Sequence, residues 1–346
     1  MSRRRTPPNN PGAAAERVLI IKLSALGDFM LAQGAIEAVR AHHPRARITL
    51  LTTPPFEAFA KACPFIDIVE TDGRPDSVKE TAGLIGRIRK AKYDIIYDLQ
   101  TSGRTANYFK ALNLPGRKTP LWSGHAEGCA FPHNNPDRAA MHSIDRLAEQ
   151  LTQAGVGPPG KRLGDDWPLP RFDWIDDALG RPPRLSPAYF GLNPPYALII
   201  PGASEHREGK RWSAEHFAEI ATRFIEEGVT PAVMGGKAEG AIAQAIVKSA
   251  PGTVNLVTRT DFFQISTLAR QALIAIGNDT GPMHLATLSG APGVALFATD
   301  ESDPGQAAPR GRHVVVVHAP RLSEVSPDDV WQMVNAMGVL PKPQLA

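Results

Sequence analysis

Three short stretches hold residues whose types and spacing could do chemistry. Asp28 closes Ser24-Ala25-Leu26-Gly27-Asp28, a turn between the apolar runs RVLIIKL and FMLAQGAIEAV. Asp279 stands in GNDTGPMHL, residues 277–285, behind another apolar run. Lys210 stands in PGASEHREGKRWSAEHF, residues 201–217. A carboxylate held out on a turn can take the proton of a hydroxyl. A lysine beside a helix start can hold phosphate charge, because free N–H groups and the helix dipole add to it. Each residue also has an ordinary structural use. Asp28 suits a helix N-cap, a commoner duty for an acid than catalysis. Asp279 or Thr280 can cap the helix after GND, and a lone lysine such as Lys210 is usually solvated.

The neighbours of these residues extend the pattern. Gly27 can let the backbone turn tightly or let a ligand approach. Gly281 does the same before Pro282, which suits a first helical turn, and His284 adds a donor there. Glu239 in MGGKAEG could hydrogen-bond a ribose, or serve as a first-turn glutamate favoured by the helix dipole. Gln100, Ser102 and Arg104 in DLQTSGRTA could hold an anionic or hydroxylated partner, or form a polar loop in which Ser102 caps a helix. No GxGxxG stands at the first turn, and no P-loop, GxSxG or HExxH occurs. The histidines at 42–43, 125–133 and 313–318 lack metal-ligand spacing, and Cys63 and Cys129 form no CxxC. No metal and no cofactor is expected.

The elements that must position these turns alternate along the chain. Short β-branched runs predict strands at RVLIIKL, ARITLLT, IDIVET, YDIIYDLQ, YALIIPGAS, TPAVMGG, VNLVT, LIAIGND, GVALFA and HVVVVH. Helices are expected at 29–42, 77–91, from Ser102, and at 142–155, 213–228, 238–250, 261–272, 281–290 and 326–338. In 213–228, Phe217, Ile220, Ala221, Phe224 and Ile225 recur at helical spacing. The Pro- and Gly-rich stretch 156–195 reads as linker with a short helix at 173–180. The expected fold class is α/β: two Rossmann-like domains, built on parallel sheets and facing a cleft. The expected boundaries are a disordered tail 1–16, a domain 17–170, a linker 171–195, a domain 196–325 and a closing helix and tail 326–346. Ligands of such sheets bind outside the carboxyl ends of the strands, so the strand-to-helix turns matter most.

Composition narrows the function classes. The 346 residues suffice for two cores, and a net charge of +3 with scattered basic residues gives no case for nucleic acid. The cluster Arg3-Arg4-Arg5 precedes TPPNNPG rather than an apolar run, so it makes no signal peptide. No apolar run approaches the roughly 18 residues of a membrane span. Two isolated cysteines fit a reduced cytoplasmic compartment.

The sequence resembles the bacterial heptosyltransferase family, glycosyltransferase family nine. The resemblance runs in order over about 20–300. It is carried by RVLIIKLSALGDFMLAQGAIEAVRAHHPRARITLLT, by YDIIYDLQTSGRTA and by GNDTGPMHLATLSGAPGVALFA, with KRW and GGKAE in the expected places. It implies a GT-B fold and an inverting, metal-independent transfer of a sugar from a nucleoside diphosphate. The usual donor is ADP-L-glycero-D-manno-heptose and the usual acceptor is the lipid A/core oligosaccharide of lipopolysaccharide. The acceptor would bind the N-terminal domain and the donor the C-terminal one, at the cytoplasmic face of the inner membrane with peripheral contact. Domain closure on binding is expected. By resemblance Asp28 matches the general base and Ser24 lies near the reaction centre. Lys210 matches the lysine on the donor phosphates, Asp279 the acid on the donor sugar, Thr280 and Gly281 the phosphate-binding turn, and Glu239 the acid on the adenosine ribose. Two features depart from the pattern: TDESDPGQAAPRG replaces a tighter Gly-Pro-Thr-type loop, and Ala203 stands where a hydroxyl residue is usual. The alternatives are a different nucleotide sugar or acceptor, or a non-catalytic protein that binds a nucleotide sugar.

Overall fold

The computed structural model describes residues 15–114, 119–157, 169–203 and 206–341. Most of the expected N-terminal tail, Ser204 and part of the Pro-rich stretch lie outside them. The chain divides into two compact units, Met1–Pro170 and Arg171–Ala346.

In the first unit the strands are β1 (Arg17–Ile21), β2 (Arg47–Leu51), β3 (Ile68–Glu70), β4 (Ile95–Asp98), β5 (Leu121–Gly124) and β6 (Phe131–Pro132). The helices are α1 (Leu26–Leu31), α2 (Gln33–His42), α3 (Glu57–Ala62), α4 (Val78–Ala91), α5 (Gly103–Leu112) and α6 (Ser143–Gln153). All strands run parallel in the order β3-β2-β1-β4-β5-β6. Helices on both faces bury the strands, which is why β1 and β4 read as unbroken apolar runs rather than alternating ones. Leu19, Ile21, Leu84, Ile88, Ile96 and Trp122 meet in one core.

The helix expected over 29–42 is two helices. It begins at Leu26, where Phe29 N–H bonds back to the Ala25 carbonyl at 2.8 Å, and it is interrupted at Ala32. Asp28 therefore lies inside a first helical turn rather than ahead of it.

In the second unit the strands are β7 (Tyr196–Ile200), β8 (Thr230–Val233), β9 (Val254–Asn255), β10 (Ile274–Asn278), β11 (Gly293–Ala298) and β12 (Val314–Ala319). The helices are α7 (Trp174–Leu179), α8 (Ala214–Glu226), α9 (Gly240–Ser249), α10 (Phe262–Gln271), α11 (Gly281–Leu288), α12 (Pro304–Ala307) and α13 (Pro327–Ala336). The sheet is again all parallel, in the order β12-β11-β10-β7-β8-β9. Ile199, Phe217, Phe224, Ile274, Leu296 and Val330 share its core. The closing helix α13 packs on α8 through an edge-to-face contact of Phe224 with Trp331.

The expected linker is packed where it is described. Phe172, Ile175, Leu185, Phe190 and Leu192 are buried. Arg270 on α10 reaches both carboxylate oxygens of Asp176, at 3.0 and 3.2 Å. Gln264 donates to the Arg184 carbonyl at 3.2 Å. Pro183 and Pro187 begin short turns whose apolar residues Leu185 and Phe190 are buried.

The two sheets share one topology. Chain connections diverge between β1 and β4 in the first, and between β7 and β10 in the second. At such switch points the loops part and leave a crevice at the strands' carboxyl ends.

Candidate active site

At the first switch point β1 runs out through Lys22, Leu23 and Ser24 into α1. Asp28 makes no cap bond, so the capping use is not realised; the N-cap is Ala25, with extended backbone. Among the described residues one hydrogen bond holds the carboxylate: Ser143 Oγ donates to Asp28 Oδ1 at 3.4 Å. Gly27 takes ordinary helical backbone beside it. Ser24 Oγ accepts from Arg74 Nη2.

The turn is tied to the loop after β4. Gln100 Oε1 accepts from the N–H groups of Leu23 and Ser24, at 2.9 and 3.1 Å. Asp98 Oδ1 accepts from Gln100 N–H and Thr101 N–H at 3.1 and 2.9 Å, an Asx-type turn that takes Thr101 to φ 46°. Arg138 steadies the same loop by donating to Thr101 Oγ1 at 2.5 Å. Asp98 is 1% exposed. Burial pushes its carboxyl up to about 6, against hydrogen bonds from Thr101, Thr105 and Gln100 and the field of Lys22. Lys22 is buried too and donates to the Leu99 carbonyl at 3.3 Å. Burial lowers its pKa, Asp28 and Asp98 oppose that, and Arg146 adds to it.

Ser102 caps α5, accepting from Thr105 N–H at 3.3 Å. Arg104 is exposed and donates to the Pro75 carbonyl at 2.9 Å. A small cavity of about 120 Å³, lined by Asp98, Thr101, Ser102 and His125 among others, opens beside this loop.

The second switch point is organised around Asp279. Lys210 is 8% exposed, so it is not the solvated lysine of the ordinary reading. Its Nζ lies 2.5 Å from Asp279 Oδ2. Ser302 Oγ donates to the same oxygen at 2.8 Å, and His284 Nε2 lies 3.7 Å from Oδ1. Burial alone would raise Asp279; hydrogen bonds from His284, Lys210 and Ser302 and the Lys210 charge outweigh it and hold the carboxyl at about 2. Asn278 locks the Lys210 turn by donating to the Pro201 carbonyl at 2.9 Å and accepting from Trp212 N–H at 3.3 Å. Gly277 is required by close approach: a Cβ there would lie 2.6 Å from the Ile200 carbonyl oxygen.

Neither Asp279 nor Thr280 caps α11 with its side chain. Asp279 is committed to charged and hydroxyl donors, which outbid a neutral N–H. The N–H groups of Thr280 and Gly281 consequently make no hydrogen bond to the described residues. His284 is 4% exposed and its Nδ1 has no hydrogen-bond partner among the described residues. Glu239 folds back over its own turn, accepting from Gly236 N–H at 2.8 Å and lying against Gly202 and Gly235. A cavity of about 470 Å³ next to that turn is lined by Lys237, Gln244, Asn255 and Arg259 among others.

Nothing in the sequence marks Ser143 or Ser302 as a site residue. Ser143 begins an amphipathic helix, and Ser302 lies in the TDESDPG loop after β11; only the fold brings them to the two acids. Among the described residues no group of three or more His, Cys, Asp or Glu could hold a metal ion, and no helix is long and apolar enough to cross a membrane.

Chemically, the first edge offers a carboxylate with one oxygen tethered and the other without a partner among the described residues. The second offers a buried lysine and open N–H groups at a helix start, suited to a phosphate.

The sequence model of glycosyltransferase family 9 (heptosyltransferase) matches residues 82–330, a span that includes Lys210, Glu239 and Asp279 and begins after Asp28. A lipopolysaccharide heptosyltransferase 2 from Salmonella typhimurium is 25% identical over 304 residues, covering 83% of this chain and 84% of its own. A glycosyl transferase family 9 structure from Veillonella parvula superposes with a TM-score of 0.74 at 21% identity, covering 93% of this chain and 97% of its own. The structure of ADP-heptose lps heptosyltransferase II from E. coli superposes with a TM-score of 0.72 at 21% identity, covering 93% and 98%. The fold is thus the two-domain GT-B arrangement of parallel sheets, and the chain belongs to glycosyltransferase family 9, the heptosyltransferases, as a glycosyltransferase.

Proposed function

We propose that this glycosyltransferase moves a heptose from an ADP-heptose donor to the inner core of lipopolysaccharide, with inversion and without a metal ion. The Salmonella relative is named for lipopolysaccharide and the E. coli structure for ADP-heptose, and both support the choice of acceptor and donor. The observation that carries the reading is the second switch point. A buried lysine beside a helix start whose first two N–H groups no described residue takes is suited to cradle a diphosphate.

In this reading an acceptor oxygen attacks the anomeric carbon from the face opposite the diphosphate. The bond from that carbon to the phosphate oxygen breaks, and its electron pair leaves with ADP. The hydroxyl proton passes to the free oxygen of Asp28. Lys210, the N–H groups of Thr280 and Gly281, and His284 take the charge that grows on the leaving group. Asp279 presents Oδ1 to a hydroxyl of the donor sugar, and Glu239 receives the ribose. The N–H groups and the Lys210 ammonium take the place of a divalent ion in this reading, so EDTA should leave turnover unchanged. With the lipid acceptor, the enzyme works at the cytoplasmic face of the inner membrane by peripheral contact.

The test is Asp28→Asn and Asp28→Ala, assayed by ADP release with ADP-heptose and a lipid A core acceptor. Turnover should fall by about 10²–10⁴-fold, the usual worth of general acid–base help, while ADP binding stays at the parental level. Parental turnover in both variants would end the assignment of Asp28.

A further inference from the structure

Asp28 has a single hydrogen-bond partner among the described residues, and it comes from a distant helix. We infer that Ser143 is a positioning residue for Asp28: its hydroxyl, oriented by Arg146, holds one carboxylate oxygen and turns the other toward the acceptor. This rests on reading Asp28 as the proton acceptor.

The direction of the hydrogen bonds follows from what each group can do. Arg146 Nη2 lies 3.3 Å from Ser143 Oγ. A guanidinium only donates, so the serine oxygen must accept there. The one hydroxyl hydrogen of Ser143 is then left for Asp28 Oδ1. Arg146 follows Ser143 by three positions, which places both on one face of α6. The pair therefore acts as a relay in which a permanent cation fixes a rotor and the rotor fixes the acid.

The relay stands on rigid ground. Ser143 is 9% exposed and is the first residue of α6. Further along that helix, Gln150 Nε2 donates to the Asp98 carbonyl at 3.0 Å and to the Ser123 carbonyl at 3.3 Å. Those bonds pin α6 to the carboxyl ends of β4 and β5, the same edge from which Gln100 holds the turn before Asp28. The backbone before Asp28 is thus tethered by Gln100, and among the described residues only Ser143 hydrogen-bonds the carboxylate itself. Small misplacements of a reacting group are costly, so a hydroxyl that never touches substrate can still set the rate.

The experiment compares Ser143→Ala, Ser143→Thr and Asp28→Asn with the parent, reading kcat, the donor KM and the melting temperature. Ser143→Ala should lower kcat by about tenfold, the low end for a hydrogen bond to a charged group, with donor KM and melting temperature near parental values. Ser143→Thr keeps the hydroxyl and should recover most of that loss. A parental kcat in Ser143→Ala overturns the inference, as does a threonine variant as slow as the alanine one. The two readings fail separately. An active Asp28→Asn enzyme removes the base, whereas an inactive Asp28→Asn beside a fully active Ser143→Ala removes only the positioning role.

Discussion

Lys210→Ala tests the second switch point through stability as well as catalysis. Lys210 and Asp279 have side chains only 10% and 9% exposed and sit 2.5 Å apart. Removing one partner of a buried pair leaves an uncompensated charge and costs about 3–5 kcal/mol. Ser302 and His284 remain on Asp279, which selects the low end, about 3 kcal/mol. At about 2–4 °C per kcal/mol for a unit of this size, the melting temperature should drop by about 6–12 °C at pH 7. The pH dependence has a definite sign. Asp279 is held at about 2 in the folded protein, below its ordinary value. Its contribution is therefore present at neutral pH and lost as pH falls through the acid range toward 2. Without Lys210, burial is less opposed and the carboxyl rises. The gap between parent and variant should narrow on acidification. Lys210→Met with Asp279→Asn removes both charges and should melt closer to the parent than Lys210→Ala does. Differential scanning calorimetry at pH 7 and pH 4 reads all three proteins. A Lys210→Ala enzyme that melts with the parent at pH 7 would refute the buried-pair reasoning, and unchanged donor kinetics would refute the phosphate role.

Two more outcomes follow from groups at the strand ends. Asp98, pushed up to about 6, favours folding while protonated, and that stability is lost as pH rises through 6. Denaturant melts of the parent should lose about 2–3 kcal/mol between pH 4 and 7 on this account. Asp98→Asn keeps Oδ1 for the two loop N–H groups and should flatten the slope; an equal slope in the variant counts against the buried acid. Gly277→Ala places a methyl 2.6 Å from the Ile200 carbonyl oxygen, which belongs to the backbone and cannot step aside. It should destabilise by about 1–3 kcal/mol and raise the donor KM, since Asn278 and Asp279 come next; a parental melting curve contradicts this.

The elements legible in the sequence are those whose burial leaves a mark. GVALFA and YALII are unbroken apolar runs because both faces of a parallel strand are covered. LWSG and FP carry too few residues to show a period, so β5 and β6 leave no mark in the sequence. The break at Ala32 has no proline to announce it, and Gly34 two residues on is taken up within the second helix. Asp28 and Asp279 were conspicuous because each follows a strand in a short polar turn. Ser143 was not, since it meets Asp28 across 115 residues of chain and within its own helix looks like any first-turn serine. Lys210 is the instructive case: a lone lysine reads as solvated, and only the carboxylate 69 residues on makes its burial affordable. Gln100 stood out as a polar loop residue, but its Oε1 is spent on the backbone of the neighbouring turn.

The shared strand order of the two sheets has a consequence for how such a chain can change over time. Each half repeats one plan: the segment that follows its first strand carries one candidate site residue, Asp28 or Lys210, and the segment that follows its fourth carries a partner of that segment, Gln100 or Asp279. The apolar cores beneath these loops share no residues. Substitutions that remodel one rim draw on one core's reserve of stability and leave the other's untouched. Drift beneath one rim therefore falls first on that half's own core.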